Sequence, residues 1–187
     1  MNQTAPVEEV RWHGRGGQGA VLGASILGSA AALYEGKYAV SFPSFGAERR
    51  GAPVQAFTRI ADQVIRTRSQ IYHPTKIIVL DDTLLDVVNI TDGAQEGASI
   101  LINTRRPASK LSIPDYLNIV TLDASTIARD IIGVVIVNTT MLGALAGATN
   151  LISLDSLKQA IANALPEKIA GRNIAAAEAA YERVKGK

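Results

Sequence analysis

Four glycines within the six positions Gly14 to Gly19 separate a short alternating apolar segment, Val7 to Trp12, from a long run of small and apolar residues reaching Tyr34. A backbone without Cβ takes the sharp turns that other residues resist, so this spacing predicts a strand, a tight loop and a helix over about 19–34. A strand that feeds directly into a helix is the building unit of a parallel sheet, which places the chain among α/β folds before any other segment is read. Gly36 reads as the helix stop, because a left-handed residue there closes the last turn, and Tyr38 to Phe42 reads as a second strand.

The remaining segments extend the pattern. Pro53 to Ile60 reads as extended and Val64 to Arg68 as a returning strand across a turn at Ala61-Asp62-Gln63, together an antiparallel hairpin. Lys76 to Leu80, Ser99 to Asn103 and Asn118 to Leu122 are short apolar runs suited to strands covered on both faces. Gly133 to Asn138 reads either as another strand or as the lead into a helix. Helical spacing marks Ser125 to Ile132, Thr139 to Thr149, Leu154 to Leu165 and Asn173 to Lys185, with Ser153 or Asp155 as a cap and Pro166 as a stop. The expected fold is a three-layer α/β/α sandwich on a mainly parallel, mixed sheet with a Rossmann-like opening, forming a single domain over 7–187 after a loose lead-in at 1–6. Aromatics make up only 5% of the 187 residues, against 47% hydrophobic overall, so Val, Ile, Leu and Ala must fill the core.

Charge and residue usage exclude several kinds of function. A net charge of +2, with basic residues scattered apart from Arg49-Arg50, Arg66/Arg68 and Arg105-Arg106, does not fit nucleic-acid binding. The absence of cysteine removes disulfides and thiolate ligation of zinc or iron–sulfur clusters. The sequence shows neither a charged-then-apolar leader nor an apolar run of about 18 residues, so a cytoplasmic protein without a membrane span is expected. His13 and His73, the only histidines, are too far apart in the chain to suggest a metal site, and His13 reads first as a hydrogen-bonded structural residue.

Gly14-Arg15-Gly16-Gly17-Gln18-Gly19 satisfies the G-x-G-x-x-G spacing of a dinucleotide loop, but the acid expected at the end of the second strand is missing; Glu35 precedes that strand. No Lys-Ser or Lys-Thr follows at Walker spacing, so an ATPase is not supported. Two readings remain open for the loop: backbone donors at a helix N-terminus that hold an anion, or glycines that let helix and strand approach closely. The second loop, Phe42-Pro43-Ser44-Phe45-Gly46-Ala47-Glu48-Arg49-Arg50-Gly51-Ala52-Pro53, places two guanidinium groups on bent backbone. Such a loop grips phosphate or carboxylate, or it docks another subunit, and the two are compatible. Asp81-Asp82 follows an apolar strand and reads as the cap of a helix near Thr83. Asp92-Gly93 is turn chemistry without the downstream Asn of a magnesium and diphosphate site, so thiamine diphosphate is not expected on this chain.

With those residues laid out, the chain resembles the gamma subunit of the 2-oxoacid:ferredoxin (acceptor) oxidoreductases, the pyruvate synthase-like family. The matching segments are His13 to Gly19, Phe42 to Pro53, Ile65-Arg66-Thr67-Arg68-Ser69-Gln70 and Asn138-Thr139-Thr140-Met141-Leu142-Gly143-Ala144, in family order; Ala47 departs from a common proline. The resemblance implies a multi-subunit enzyme that converts a 2-oxoacid and coenzyme A to acyl-CoA and carbon dioxide. It places thiamine diphosphate and magnesium on alpha and beta chains and 4Fe-4S clusters on beta and a ferredoxin-like delta chain. Ferredoxin, or a flavin/NAD module, would accept the electrons. For this chain it implies no catalytic residue, no metal and no cofactor held alone, but a share of the coenzyme A site through Gly14, Arg15, Gly16, Gly17, Gln18, Gly19, Ser44, Arg49 and Arg50. The alternatives are a purely structural docking subunit and, last, an independent nicotinamide dehydrogenase. The partner chains read the substrate side chain, so pyruvate, 2-oxoglutarate, branched-chain, indole and aryl oxoacids fit the resemblance equally.

Overall fold

The computed structural model describes residues 6–44 and 50–186; most of the expected lead-in at 1–6 and Phe45 to Arg49 of the Arg-Arg loop lie outside these. Strand β1 (Glu8–Arg15) leads into α1 (Ala20–Ser29), which ends in a π-helical turn, Ala30–Tyr34, and is stopped by Gly36 at φ 65°. There follow β2 (Tyr38–Pro43), β3 (Pro53–Ala61), β4 (Lys76–Val79), β5 (Ser99–Asn103) and β6 (Asn118–Leu122). Four helices close the chain: α2 (Ala124–Ile131), α3 (Asn138–Thr149), α4 (Leu154–Ala164) and α5 (Glu167–Val184).

The six strands form one mixed sheet in the order β2-β3-β1-β4-β5-β6. The four strands β1, β4, β5 and β6 are parallel, while β3 runs antiparallel to both β1 and β2, with Trp12 opposite Ala56 and beside Ile78. Side chains alternate across a strand, and the apolar runs of β4 and β5 therefore feed two cores. Ile78, Leu80 and Leu101 join Val10 and Trp12 beneath the five helices. Ile77, Val79, Ile100 and Ile102 face the other way, where Leu84, Ile90, Ile113 and Leu117 cover them. This second cover comes from the 3-10 turn Asp82–Asp86, the loop after it, and the segment around the short turn Ala108–Lys110. The sheet thus has a layer on each face, with the five described α-helices on one of them.

α3 is the centre of the helical layer and is buried from Asn138 to Gly147. Its glycines allow contact between backbones: a Cβ on Gly143 would sit 1.9 Å from the carbonyl oxygen of Ala177 in α5. Ala176, Ala177 and Ala180 present the matching flat face of α5.

Two expected elements differ, and of the two readings of Gly133 to Asn138 the lead into a helix holds. Val64 to Arg68 forms no strand, so the hairpin is absent and the antiparallel partners of β3 are β1 and β2. β3 lies between β2 and β1, so neither of its edges is left for a returning strand, and beyond residue 68 the buried Arg59 guanidinium donates to the Ser69 and Gln70 carbonyls at 2.7 and 3.2 Å. Gly133 to Ile136 is a loop that leads into α3. α5 starts at Glu167, well before Asn173, because Pro166 not only ends the preceding region but occupies the N-cap of α5, where its missing N–H costs nothing.

Candidate functional site

β1 delivers the glycine loop to the edge of the sheet at which the parallel strands end. Gly17 and Gly19 have φ of 95° and 78°, the left-handed region that favours glycine. The two differ in surroundings. A Cβ on Gly19 would meet Asn138 Nδ2 at 2.5 Å, whereas the space around Gly17 is open. Gly14 and Gly23 are packing glycines, facing Leu80 and the Trp12 ring. Close packing therefore accounts for Gly14, Gly19 and Gly23 and leaves Gly17 exposed.

The Arg-Arg loop docks onto the glycine loop through backbone. Gly16 N–H donates to Ala52 O at 2.9 Å, Gly51 N–H donates to Gly16 O at 3.1 Å, and Gly16 and Arg50 form a parallel bridge. Arg50 is exposed beside them. Ser44, where the same loop leaves the sheet, is held by its N–H to Gln55 O and accepts from Gln70 Nε2 at its hydroxyl. Arg49 lies outside the described residues. The first intrahelical bond of α1 is Gly23 N–H to Gly19 O, so the N–H groups of Ala20, Val21 and Leu22 precede it and carry the positive end of the helix dipole. They open on a surface cleft of about 570 Å³ whose lining includes Arg15, Gly17, Leu22, Pro43 and Val54.

The chain leaves β1 toward the helical face and β4 toward the other, which opens a crevice between the ends of these two strands. It is filled from within. Arg15 donates to Asp81 at 3.1 Å, to the Thr83 hydroxyl at 2.7 Å and to Gly51 O at 3.1 Å. Gln18 donates to Asp81 at 2.9 Å and accepts from the Arg15 N–H at 2.8 Å. Burial opposes ionisation of Asp81, but the Thr83 hydroxyl, the Gln18 amide, the Thr83 N–H and Arg15 outweigh it and hold its pKa below the ordinary carboxylate value. Asp81 also accepts the Thr83 N–H at 3.0 Å, the capping expected from sequence. Two further pairs, Asp82 with Arg106 and Asp123 with Arg105, follow along the same edge beside a cavity of about 400 Å³. Glu35, the acid nearest a ribose-binding position in sequence, accepts from Ser153 N–H and precedes the end of β2 that lies level with the start of β1. The glycine loop is at the opposite end of β1, so Glu35 does not reach it, and Asp81, the acid beside the loop, is engaged by Arg15 and Gln18.

Two buried arginines carry roles that the motifs do not flag. Arg11 donates to the carbonyls of Ile71, Ile90 and Asp92 and to His13 Nε2, tying β1 to the loops around β4. Burial, with Arg11 as a second cause, pushes His13 down to about 3, so it is a neutral acceptor within the fold. Arg59 pairs with Glu9 at 2.7 Å and lies over the Phe42 ring. The one signal in the sequence is a charged residue on an inward-facing position of an apolar strand. Among the described residues no group of three or more His, Asp or Glu is placed to hold a metal ion, and without cysteine the sequence offers no ligand for an iron–sulfur cluster. No described helix is long and apolar enough to cross a membrane.

The pyruvate ferredoxin/flavodoxin oxidoreductase family model matches residues 9–183, which takes in the glycine loop, the Arg-Arg loop and all five described helices. The chain belongs to this family. It is 49% identical over 176 residues to the pyruvate synthase subunit PorC of Methanocaldococcus jannaschii, covering 94% of this chain and 96% of that one. It is 47% identical over 180 residues to the pyruvate/ketoisovalerate oxidoreductases common subunit gamma of Thermococcus litoralis, again covering 94% and 96%. The crystal structure of the pyruvate oxidoreductase subunit PORC from Thermotoga maritima superposes with a TM-score of 0.81 at 36% identity, covering 94% of this chain and 96% of that one. The gamma-type membership and the mixed α/β fold read from the motifs are both borne out.

Proposed function

We propose that this chain is the cytoplasmic gamma subunit of a multi-subunit 2-oxoacid:acceptor oxidoreductase and contributes part of the coenzyme A site together with an assembly surface. Thiamine diphosphate, magnesium and 4Fe-4S clusters reside on alpha, beta and delta partner chains, and ferredoxin or a flavin/NAD module takes the electrons. The observation that carries this reading is the docking of the Arg-Arg loop on the glycine loop by paired backbone bonds at Gly16 and Gly51. Two motifs distant in sequence thereby form one anion-favouring surface: open backbone at Gly17, the first turn of α1 and the exposed guanidinium of Arg50. A diphosphate and a ribose phosphate are ligands of the right charge. Arg15 and Gln18 serve as braces, since their polar atoms are spent on Asp81, Thr83 and Gly51; Gly14, Gly16 and Gly19 shape the loop, and Ser44 and Arg49 flank the surface in sequence.

The test is Arg50→Ala in the assembled enzyme. A charge-assisted hydrogen bond is worth about 1.5–3 kcal/mol, so the coenzyme A KM should rise by about tenfold or more. Unchanged coenzyme A kinetics in an intact complex would refute the ligand role. The internal use of Arg15 and Gln18 favours one second reading, a subunit that only docks; in that case Arg50→Ala loosens the complex as salt rises, without any effect specific to coenzyme A.

A further inference from the structure

The segment Ile65 to Gln70 recurs in the family resemblance, yet it forms no strand, and its hydrogen bonds run to Arg59 and Ser44. Its fixed end is at Ser69-Gln70. Arg59, 4% exposed, holds both carbonyls with a planar guanidinium that is itself fixed by Glu9 at 2.7 Å and by the Phe42 ring at 5.8 Å. From that anchored backbone Gln70 sends its side-chain amide to the Ser44 hydroxyl at 3.3 Å.

Ser44 is the point where the Arg-Arg loop departs from the sheet. The loop has two anchors. At its far end, Gly51 and Ala52 are bonded to Gly16 through backbone groups, and Gly51 O also accepts from Arg15. At its near end, among the described residues, Ser44 has a backbone bond to Gln55 and a side-chain bond with Gln70. Resting on the coenzyme A reading above, we infer that Gln70, backed by Arg59, is a positioning residue that sets the near end of the Arg-Arg loop for its anionic ligand. Gln70 acts through Ser44, and Arg59 acts through the backbone of Ser69 and Gln70. The conformational entropy of a loop falls when each end has a fixed direction, and affinity gained by such preorganisation is lost when one end is released.

The experiment uses the assembled enzyme with Gln70→Ala, Ser44→Ala, the double variant and Arg50→Ala, measuring KM for coenzyme A, kcat and complex integrity. Gln70→Ala is expected to raise the coenzyme A KM by about three- to tenfold, leaving kcat at saturating coenzyme A and the KM for the 2-oxoacid as they were. Ser44→Ala should raise the same KM, and the double variant should add little to the larger single effect, because both substitutions break one contact. Arg59→Lys, which keeps charge but loses the fork to two carbonyls, should reproduce part of the Gln70→Ala effect. A Gln70→Ala enzyme with unchanged coenzyme A KM, or strictly additive Ser44 and Gln70 effects, overturns this inference while an Arg50→Ala defect leaves the functional reading standing. If Arg50→Ala also leaves coenzyme A kinetics intact, the functional reading fails and this inference fails with it.

Discussion

The contact between α3 and α5 supports a graded test, because glycines in the two helices face very different surroundings. Alanine at Gly143 would place its Cβ 1.9 Å from Ala177 O and 2.6 Å from Ala177 Cα, where ordinary contacts begin near 3.4 Å. The helices must separate by more than an ångström, and neither atom belongs to a side chain that can rotate away. Overpacking of this kind costs about 3 kcal/mol or more, against which the better helix propensity of alanine returns about 1 kcal/mol. The net loss of about 2 kcal/mol corresponds to a melting temperature lower by about 4–8 °C in a domain of this size. Gly147→Ala meets Tyr181 O at 2.7 Å and the movable Val184 Cγ2 at 3.0 Å, so its loss should be smaller. Gly171 lies in α5 with no neighbouring atom within 4 Å of the place a Cβ would take, and alanine there should raise stability by about 0.5–1 kcal/mol. Thermal and urea unfolding of the purified chain, followed by circular dichroism, reads all three. A Gly143→Ala protein as stable as the parent, or a Gly171→Ala protein less stable than Gly143→Ala, would refute the packing argument.

Asp81→Asn tests the crevice. Because its carboxyl ionises below the ordinary value of 3.8 in the folded chain, its contribution to stability is complete above that value and fades as the pH falls through the lower folded-state value. The substitution should therefore lower stability near neutrality and flatten the acid limb of a pH series of urea melts; a parallel downward shift at every pH would sink the idea. His13, neutral and buried, should show no ring titration between about pH 5 and 8 by NMR, while its lowered pKa predicts protonation only as the fold is lost in acid. A midpoint near 6.5 would show that the Arg11 contact is not kept in solution.

Sequence suffices where one local rule governs a segment. The strand, glycine loop and helix at the start follow from Cβ-free turns, and β4, β5 and β6 from apolar runs too short for helices. Ser153 caps α4 by accepting the Ser156 N–H, as its position before an apolar run predicts. Local pattern misleads where long-range strand pairing overrides it. Val64 to Arg68 reads as a returning strand, but β1 and β2 occupy both edges of β3, and nothing near residue 64 reports that. The candidate site divides in the same way. The glycine and Arg-Arg motifs are visible in the sequence, whereas the commitment of Arg15 and Gln18 to Asp81 needs β1 and β4 side by side, a pairing that only the parallel register supplies. The alternation of strands and helices also implies a second α-helical layer. Short 3-10 turns and the loops beside them cover that face instead.

Asn138 donates to the carbonyl of Gly19 across 119 positions of sequence, and the presence of its side chain is what leaves no room for a Cβ on that glycine. The glycine loop emerges from the ribosome well before its lid, which arrives with α3, and α3 is itself seated by α5, later still in the sequence. Long-range contacts of this sort form late. Synthesis therefore imposes a sequence of events: the glycine loop takes its final shape only after α3 and α5 have been made, so a nascent chain that stops short of them carries the motif without that shape.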